Sequence, residues 1–436
     1  MPAGTARGLG VREDRRKPFQ PHGRLPLRRR LPVPRLTWRP SHPQMSLPLA
    51  ARARDLQPSL TLAITARARQ LRSEGRDICS LSAGEPDFDT PAFIRQAAID
   101  ALEAGHTRYG PVAGEPALRE AIAAKLSQEN GVPTTPEQVL VTNGGKQALY
   151  NLFQVLLNPG DEVLVPSPYW LSYPEMVQLT GARVAYLTCD AGDGFRLQPQ
   201  RLEAAITPAT RRLVLNSPSN PTGAVFSRSD FEAIAAVLRR HPQVAVVCDE
   251  IYEYLCAPGH AHHSFAAVAP DLAERVLIVN GFAKGWAMTG WRIGWLAGPA
   301  HVIAAAAALQ SQSTSNVCSF AQFGALAAIS GSRDCVLEMA AHFNERRSLL
   351  SDGLRAIEGV QLLPPEGAFY AFPDVSAWGI DSLTLCTRLL DDVGLAVVPG
   401  AAFGDDRCIR LSCAASPDTL RDGIARLARF RSSLSL

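Results

Sequence analysis

From residue 90 onward, short apolar runs alternate with amphipathic helical stretches, and this alternation constrains the fold more than any other feature of the chain. Apolar residues at 93, 94, 97, 98, 101 and 102 follow Thr90 and Pro91, which read as an N-cap and a first-turn proline. A second helix is predicted over 115–131. Strand QVLVTN, a helix over 145–157, the turn Asn158-Pro159-Gly160 and strand DEVLVPSP come next. Helix SYPEMVQLTG, strand ARVAYLT, a short helix, strand RRLVLNSP, a helix over 227–240, and strands QVAVVCDE and RVLIVNGF complete the series. Such alternation predicts an α/β domain with a largely parallel sheet, and in such sheets ligands sit beyond the carboxyl ends of the strands. After about residue 330 the pattern turns to helices with a few strands, which predicts a second, smaller lobe.

The strand ends therefore deserve the closest reading. RVLIVNGF runs into a loop with one lysine, Lys284, set among Phe282, Trp286 and Trp291. A lysine placed among aromatics after a buried strand is either snorkelling or reactive. The aromatics are expected to wall the amine from water. VAVVCDEIY ends a buried strand on Asp249, and a carboxylate there needs a partner. Tyr252 lies three residues on. In VTNGGKQALYNLF, glycines lead into a helix whose first N–H groups suit a phosphate. The ATP-loop spacing fails here, because Leu140 and Gln147 stand where a glycine and a hydroxyl residue are needed. Arg292 is a candidate second phosphate ligand, and Trp170 a candidate stacking aromatic. A phosphate cradle, an acid for a ring nitrogen, a phenol and an amine together suit pyridoxal 5'-phosphate.

Composition narrows the partners. Residues 1–44 carry eleven basic residues against Glu13 and Asp14, a net of +9, while the remaining 33 basic and 39 acidic residues give −6. The body thus offers no electrostatic case for nucleic acid. The leader holds eight prolines and no apolar periodicity, so it is expected to be disordered, and a mis-assigned start upstream of Met45 is the favoured explanation. No apolar run approaches the length of a membrane span. Nine cysteines, none in C-x-x-C spacing, predict a reducing, cytoplasmic setting. His260, His262 and His263 lack a nearby acid in the sequence, so no metal site is expected.

The motifs SAGEPDFDTP, TRYGPVAGEPALREAI, GGKQALYNLF, PSPYWLSYPEM, NSPSNPTGAVF, CDEIYEYL, FAKGWAMTGWRIGW, PEGAFYAF and IRLSCA occur in this order across nearly 390 residues. Together they resemble the class I (fold type I) pyridoxal-phosphate aminotransferases, most closely the bacterial aspartate aminotransferases. The resemblance implies a large cofactor-binding domain over 91–330 with a mostly parallel central sheet. It also implies a smaller α+β domain over 331–436, to which 45–90 contributes. By the same resemblance, Lys284 binds the cofactor aldehyde and Asp249 the pyridine nitrogen. Tyr252 and Asn220 hydrogen-bond the ring hydroxyl, and Trp170 stacks on the ring. Gly145, Lys146 and Arg292 hold the phosphate, and Tyr109 reaches the phosphate of a neighbouring subunit, which implies a homodimer. Arg410 grips the substrate α-carboxylate, and Gly84 belongs to a segment that closes over the substrate. Lys146, with Thr61 nearby, is expected to meet a distal carboxylate, which favours aspartate and glutamate with 2-oxoglutarate. Other amino donors, prephenate, or carbon–sulfur lyase chemistry are the alternatives. Gln57 stands where relatives that accept prephenate carry a basic residue, and Ser219 replaces a usual asparagine. Gly281 and Ala283 flank Phe282 where a hydroxyl residue is often found near the lysine.

Overall fold

The computed structural model describes residues 47, 49–54, 56 and 60–434. Its main feature is a seven-stranded sheet in the order Val139–Thr142, Gly294–Ala297, Val276–Gly281, Ala245–Asp249, Thr210–Asn216, Glu162–Ser167, Arg183–Thr188. Gly294–Ala297 is antiparallel to both of its neighbours, and the other pairings are parallel. All six strands expected from the sequence are present. The seventh, Gly294–Ala297, is not expected from the sequence, because its first two residues close the TGWRIGW motif and only Leu296 and Ala297 follow as an apolar run. The inner strands are apolar on both faces because both faces are covered, whereas the edge strand Arg183–Thr188 leaves Arg183, Tyr186 and Thr188 exposed. Val139 and Val141 pack into one core cluster and Leu140 into the cluster on the opposite side.

The helices follow their predicted periodicity closely: Ala92–Glu103, Pro116–Gln128, Gly145–Leu156, Ser172–Gln178 and Arg228–Arg239. One expected cap differs. The N-cap of Ala92–Glu103 is Pro91, and the Thr90 hydroxyl instead donates to the Ala287 carbonyl at 2.7 Å. Competition from a long-range carbonyl thus overrides the local capping preference.

A second group of elements packs around a separate core that includes Phe343, Phe369, Tyr370, Leu389 and Phe430. Its three-stranded antiparallel sheet runs Val398–Pro399, Ile409–Ser412, Tyr370–Ala371. Helices Asp334–Arg355, Ser382–Val393 and Pro417–Ser433 accompany it. The early strand Cys79–Ser80 pairs in parallel with Leu395–Ala396, and Ala68 and Leu71 of helix Leu60–Ser73 pack against Leu390 and Ala396. The architecture is α/β, with a mostly parallel large sheet and a small antiparallel one. All nine cysteines are free, and among the described residues no helix is long and apolar enough to cross a membrane.

Candidate active site

Candidate residues lie at or just beyond the carboxyl ends of the parallel strands. Asp249 closes its strand and is buried. One carboxylate oxygen accepts from the Tyr173 hydroxyl at 2.6 Å and the other from the Ile251 N–H at 3.3 Å. Burial raises its pKa to about 6, against the opposing pull of those two hydrogen bonds. A cationic N–H facing this carboxylate would restore its charge.

Lys284 follows strand Val276–Gly281 and is half-buried, its Nζ donating to the Gly84 carbonyl at 2.5 Å. Burial lowers its pKa to about 8. Glu85 opposes the shift, while Arg410 and Arg292 reinforce it. The aromatics facing the amine are Tyr252 and Phe369, with ring centroids 5.8 and 5.7 Å from Nζ. This corrects the wall expected from the sequence. Phe282 and Trp286 turn into the core and pack on each other at 5.3 Å, and Trp291 donates to Thr90 at 3.0 Å. Neighbours in sequence on a tight turn point in different directions, so adjacency misled.

Arg410, on strand Ile409–Ser412, is 2% exposed, yet among the described residues no carboxylate lies within ion-pair distance of it. Its guanidinium donates to Asn220 Oδ1 at 3.0 Å and to the Ser82 carbonyl at 3.1 Å, and its Nε has no partner. It sits 4.4 Å from the Tyr370 ring and 4.9 Å from that of Phe403. A buried cation held only by neutral acceptors is a ready partner for a carboxylate.

Gly145 and Lys146 open helix Gly145–Leu156 behind Gly144, whose φ of +80° favours glycine. A Cβ on Gly144 would lie 2.9 Å from the Arg292 guanidinium. Arg292 itself donates to Thr289 O at 2.9 Å and Asn143 O at 3.4 Å. The Lys146 Nζ lies 5.0 Å above the Trp170 ring, and its pKa is lowered by burial and then by Arg292. Two cations and free helix N–H groups therefore share one rim, an arrangement suited to a phosphate or a carboxylate.

Two further residues contact these groups and were not singled out from the sequence. Tyr173, in helix Ser172–Gln178, donates its N–H to the carbonyl of Trp170 just ahead of that helix at 3.0 Å, and their rings meet edge-on at 5.3 Å. Tyr370, inside the PEGAFYAF motif, shares a 2.9 Å hydrogen bond with the Tyr252 hydroxyl. Tyr109 stands apart from these groups and is 92% exposed. Thr61 belongs to helix Leu60–Ser73, but its side chain lies outside the described residues, as does Gln57.

Three charged groups, Lys284, Asp249 and Arg410, are thus gathered from distant parts of the chain, near enough that the charges of Asp249 and Arg410 act on the Lys284 amine. The sequence model of the family called aminotransferase class I and II matches residues 76–427. The chain belongs to that family. An aspartate/prephenate aminotransferase of Cereibacter sphaeroides is 46% identical over 390 residues, covering 87% of this chain and 98% of that protein. An aspartate aminotransferase of Geobacillus stearothermophilus is 43% identical over 389 residues, covering 88% and 98%. The aspartate aminotransferase of Thermus thermophilus solved with maleate superposes with a TM-score of 0.84 at 46% identity, over 88% of this chain and 100% of that one. The protein is an aspartate aminotransferase-like enzyme with the α/β fold of those structures.

Proposed function

We propose that this aminotransferase uses pyridoxal 5'-phosphate to convert L-aspartate and 2-oxoglutarate into oxaloacetate and L-glutamate by a ping-pong sequence. The observation that carries the reading is the buried Arg410, which has no anionic partner among the described residues and acts electrostatically on an amine whose pKa falls to about 8. The residues present fit the cofactor. Asp249 would hold the ring nitrogen, and Lys284 the aldehyde carbon. Arg292, Lys146 and the N–H groups opening at Gly145 would hold the phosphate. Asn220 and Tyr252 are assigned to the ring hydroxyl, and Trp170 to its face. When bound, the cofactor supplies an aldehyde that takes up an amine and a cationic ring that draws electrons from the substrate Cα.

The chain's own residues do the rest. With a pKa near 8, roughly a tenth of Lys284 is neutral at pH 7, against less than a thousandth for an ordinary lysine. That neutral fraction lets Nζ remove the Cα proton and return it. Arg410 pairs with the α-carboxylate through two N–H donors and fixes the orientation of the Cα–H bond. Lys146 is assigned to the distal carboxylate of an acidic substrate, with Thr61 beside it, and Gly84 to the closing segment.

We also read the protein as a cytoplasmic homodimer in which Tyr109 reaches the neighbouring subunit's phosphate site. Support comes from the exposure of Tyr109, Ile99 and Leu102 and from the nine free cysteines. The division into a larger lobe over 91–330 and a smaller one formed by 45–90 and 331–436 belongs to the same proposal.

A panel of amino donors at fixed 2-oxoglutarate tests the substrate. Aspartate is expected to lead, and a donor set led by alanine or an aromatic amino acid would overturn the assignment. A second reading, prephenate as an additional acceptor, is favoured by the names of relatives such as the Cereibacter sphaeroides enzyme. Prephenate added to the same panel in place of 2-oxoglutarate decides it.

A further inference from the structure

Behind the strand ends that carry Asp249 and Lys284 lies a second cluster of buried charge, which the proposed reaction does not use. The Lys125 Nζ, on helix Pro116–Gln128, reaches Glu253 Oε2 at 2.5 Å and Asn130 Oδ1 at 2.7 Å. The other oxygen of Glu253 accepts from Asn280 Nδ2 at 2.9 Å. Glu250, next to Asp249, accepts from Ser264 at 2.7 Å through one oxygen, and its other oxygen faces His262 Nε2 at 3.3 Å. The His262 side chain is 9% exposed, and neither of its ring nitrogens nor that Glu250 oxygen has a hydrogen-bond partner. No acid lies close to these histidines along the chain; folding brings the Glu250 and Glu253 carboxylates to His262.

Charge counting identifies what is missing. Two carboxylates against Lys125 leave this buried cluster one negative charge in excess when His262 is neutral. One proton on His262 makes it neutral. A divalent ion would overshoot, and the oxygens of Glu253 are already taken up by Lys125, Asn130 and Asn280. The cluster also spans two strand ends. The Glu250 N–H donates to the Val279 carbonyl at 2.9 Å, and Asn280 Oδ1 accepts from Gly281 N–H at 2.7 Å, three residues before Lys284.

We propose that Glu250, Glu253, Lys125 and a protonated His262 form a positioning network that fixes the strand ends bearing Asp249 and Lys284. Glu250, Glu253 and Lys125 face the imidazole from the neighbouring elements, with Cys256 and His263 on its own loop. Burial pushes His262 down, but the Glu250 carboxylate, helped by Glu253 and opposed by Lys125, carries its pKa above 6.5. Because the folded value is raised, this stabilisation is fully present below pH 6.5 and is lost as pH climbs through the folded value.

The test uses holoenzyme, and it rests on the proposed function only for the absorbance of the bound cofactor. In histidine-labelled NMR, one imidazole is expected to titrate above 6.5, to vanish in His262→Gln and to move below 6.5 in Glu250→Gln. In melting scans, wild type is expected to exceed His262→Gln by roughly 3 °C at pH 6, with the gap closing by pH 9. The midpoint of the pH-dependent cofactor absorbance is expected to shift in both variants. A pH-independent melting gap, or an imidazole that titrates below 6.5 in wild type, overturns the proton. So does one equivalent of zinc that raises the melting temperature of wild type but not of His262→Gln. An unmoved absorbance midpoint overturns the positioning role. The NMR and melting readouts need no turnover, so they fail independently of the reaction; a chain that shows no cofactor absorbance at all would sink the proposed function instead.

Discussion

Two lysines, the buried Lys125 and the half-buried Lys284, show how partners decide what one side chain does. Lys125 has its side chain 2% exposed and ends on a carboxylate and an amide oxygen, so its charge is matched where it sits. Lys284 ends on a single backbone carbonyl beneath two aromatic rings, with no carboxylate in ion-pair range among the described residues, and its pKa drops to about 8. Burial acts on both. A matched counter-charge makes the first a structural cation, and its absence leaves the second with a proton to give up.

Substitutions at the two lysines are therefore expected to affect different properties. Lys284→Ala is expected to abolish turnover and the pH-sensitive absorbance of the bound cofactor, with little change in apoenzyme stability. Steady-state assay and spectrum check it, and retained activity would break the comparison. Lys125→Ala leaves Glu253 buried without its cation and is expected to cost about 3–5 kcal/mol in denaturant unfolding. Its folded fraction is expected to keep the absorbance band that the Lys284 variant loses. Asp249→Asn is expected to retain bound cofactor but to raise the barrier by about 3 kcal/mol, measured as kcat. Lys146→Ala sharpens the picture at the rim. It is expected to cost about 1.5–3 kcal/mol with aspartate and glutamate, roughly ten- to a hundredfold in kcat/KM, and far less with alanine. Arg410→Ala is the control and is expected to impair all donors alike, because they share the α-carboxylate.

Legibility in the sequence followed the range of the interaction. The apolar runs announced six strands of the large sheet because five are buried on both faces and the sixth, the edge strand Arg183–Thr188, still carries a short apolar run, a property written locally in each. Asp249, Asn220, Lys284 and Arg410 stood out as candidates because each follows or lies within a distinctive motif. Tyr173 was within reach, since it is a polar aromatic in the same short motif as Trp170. The cluster around His262 was not, because Lys125 joins it from a helix more than a hundred residues away and Glu250 reaches it across a folded loop. The strand Gly294–Ala297 escaped for a related reason. Four residues that begin with glycine carry little periodicity, and pairing on both sides is what makes them a strand.

That short reversed strand has a consequence for how the chain tolerates change in length. Gly281 pairs with Gly294, so the twelve residues between them, which include Lys284 and Arg292, leave and re-enter the sheet at one level. Both glycines are crowded. A Cβ on Gly281 would lie 2.8 Å from the Gly294 Cα, and one on Gly294 would lie 2.6 Å from the Gly145 nitrogen. The loop therefore behaves as a ruler clamped at both ends. An added or deleted residue must either slip the strand register, which would turn every side chain of Gly294–Ala297 to the opposite face, or change the spacing between the amine and the guanidinium. Length polymorphism in this segment should be far more damaging than most of the point substitutions within it, even though it lies in a loop, where insertions are ordinarily well accepted.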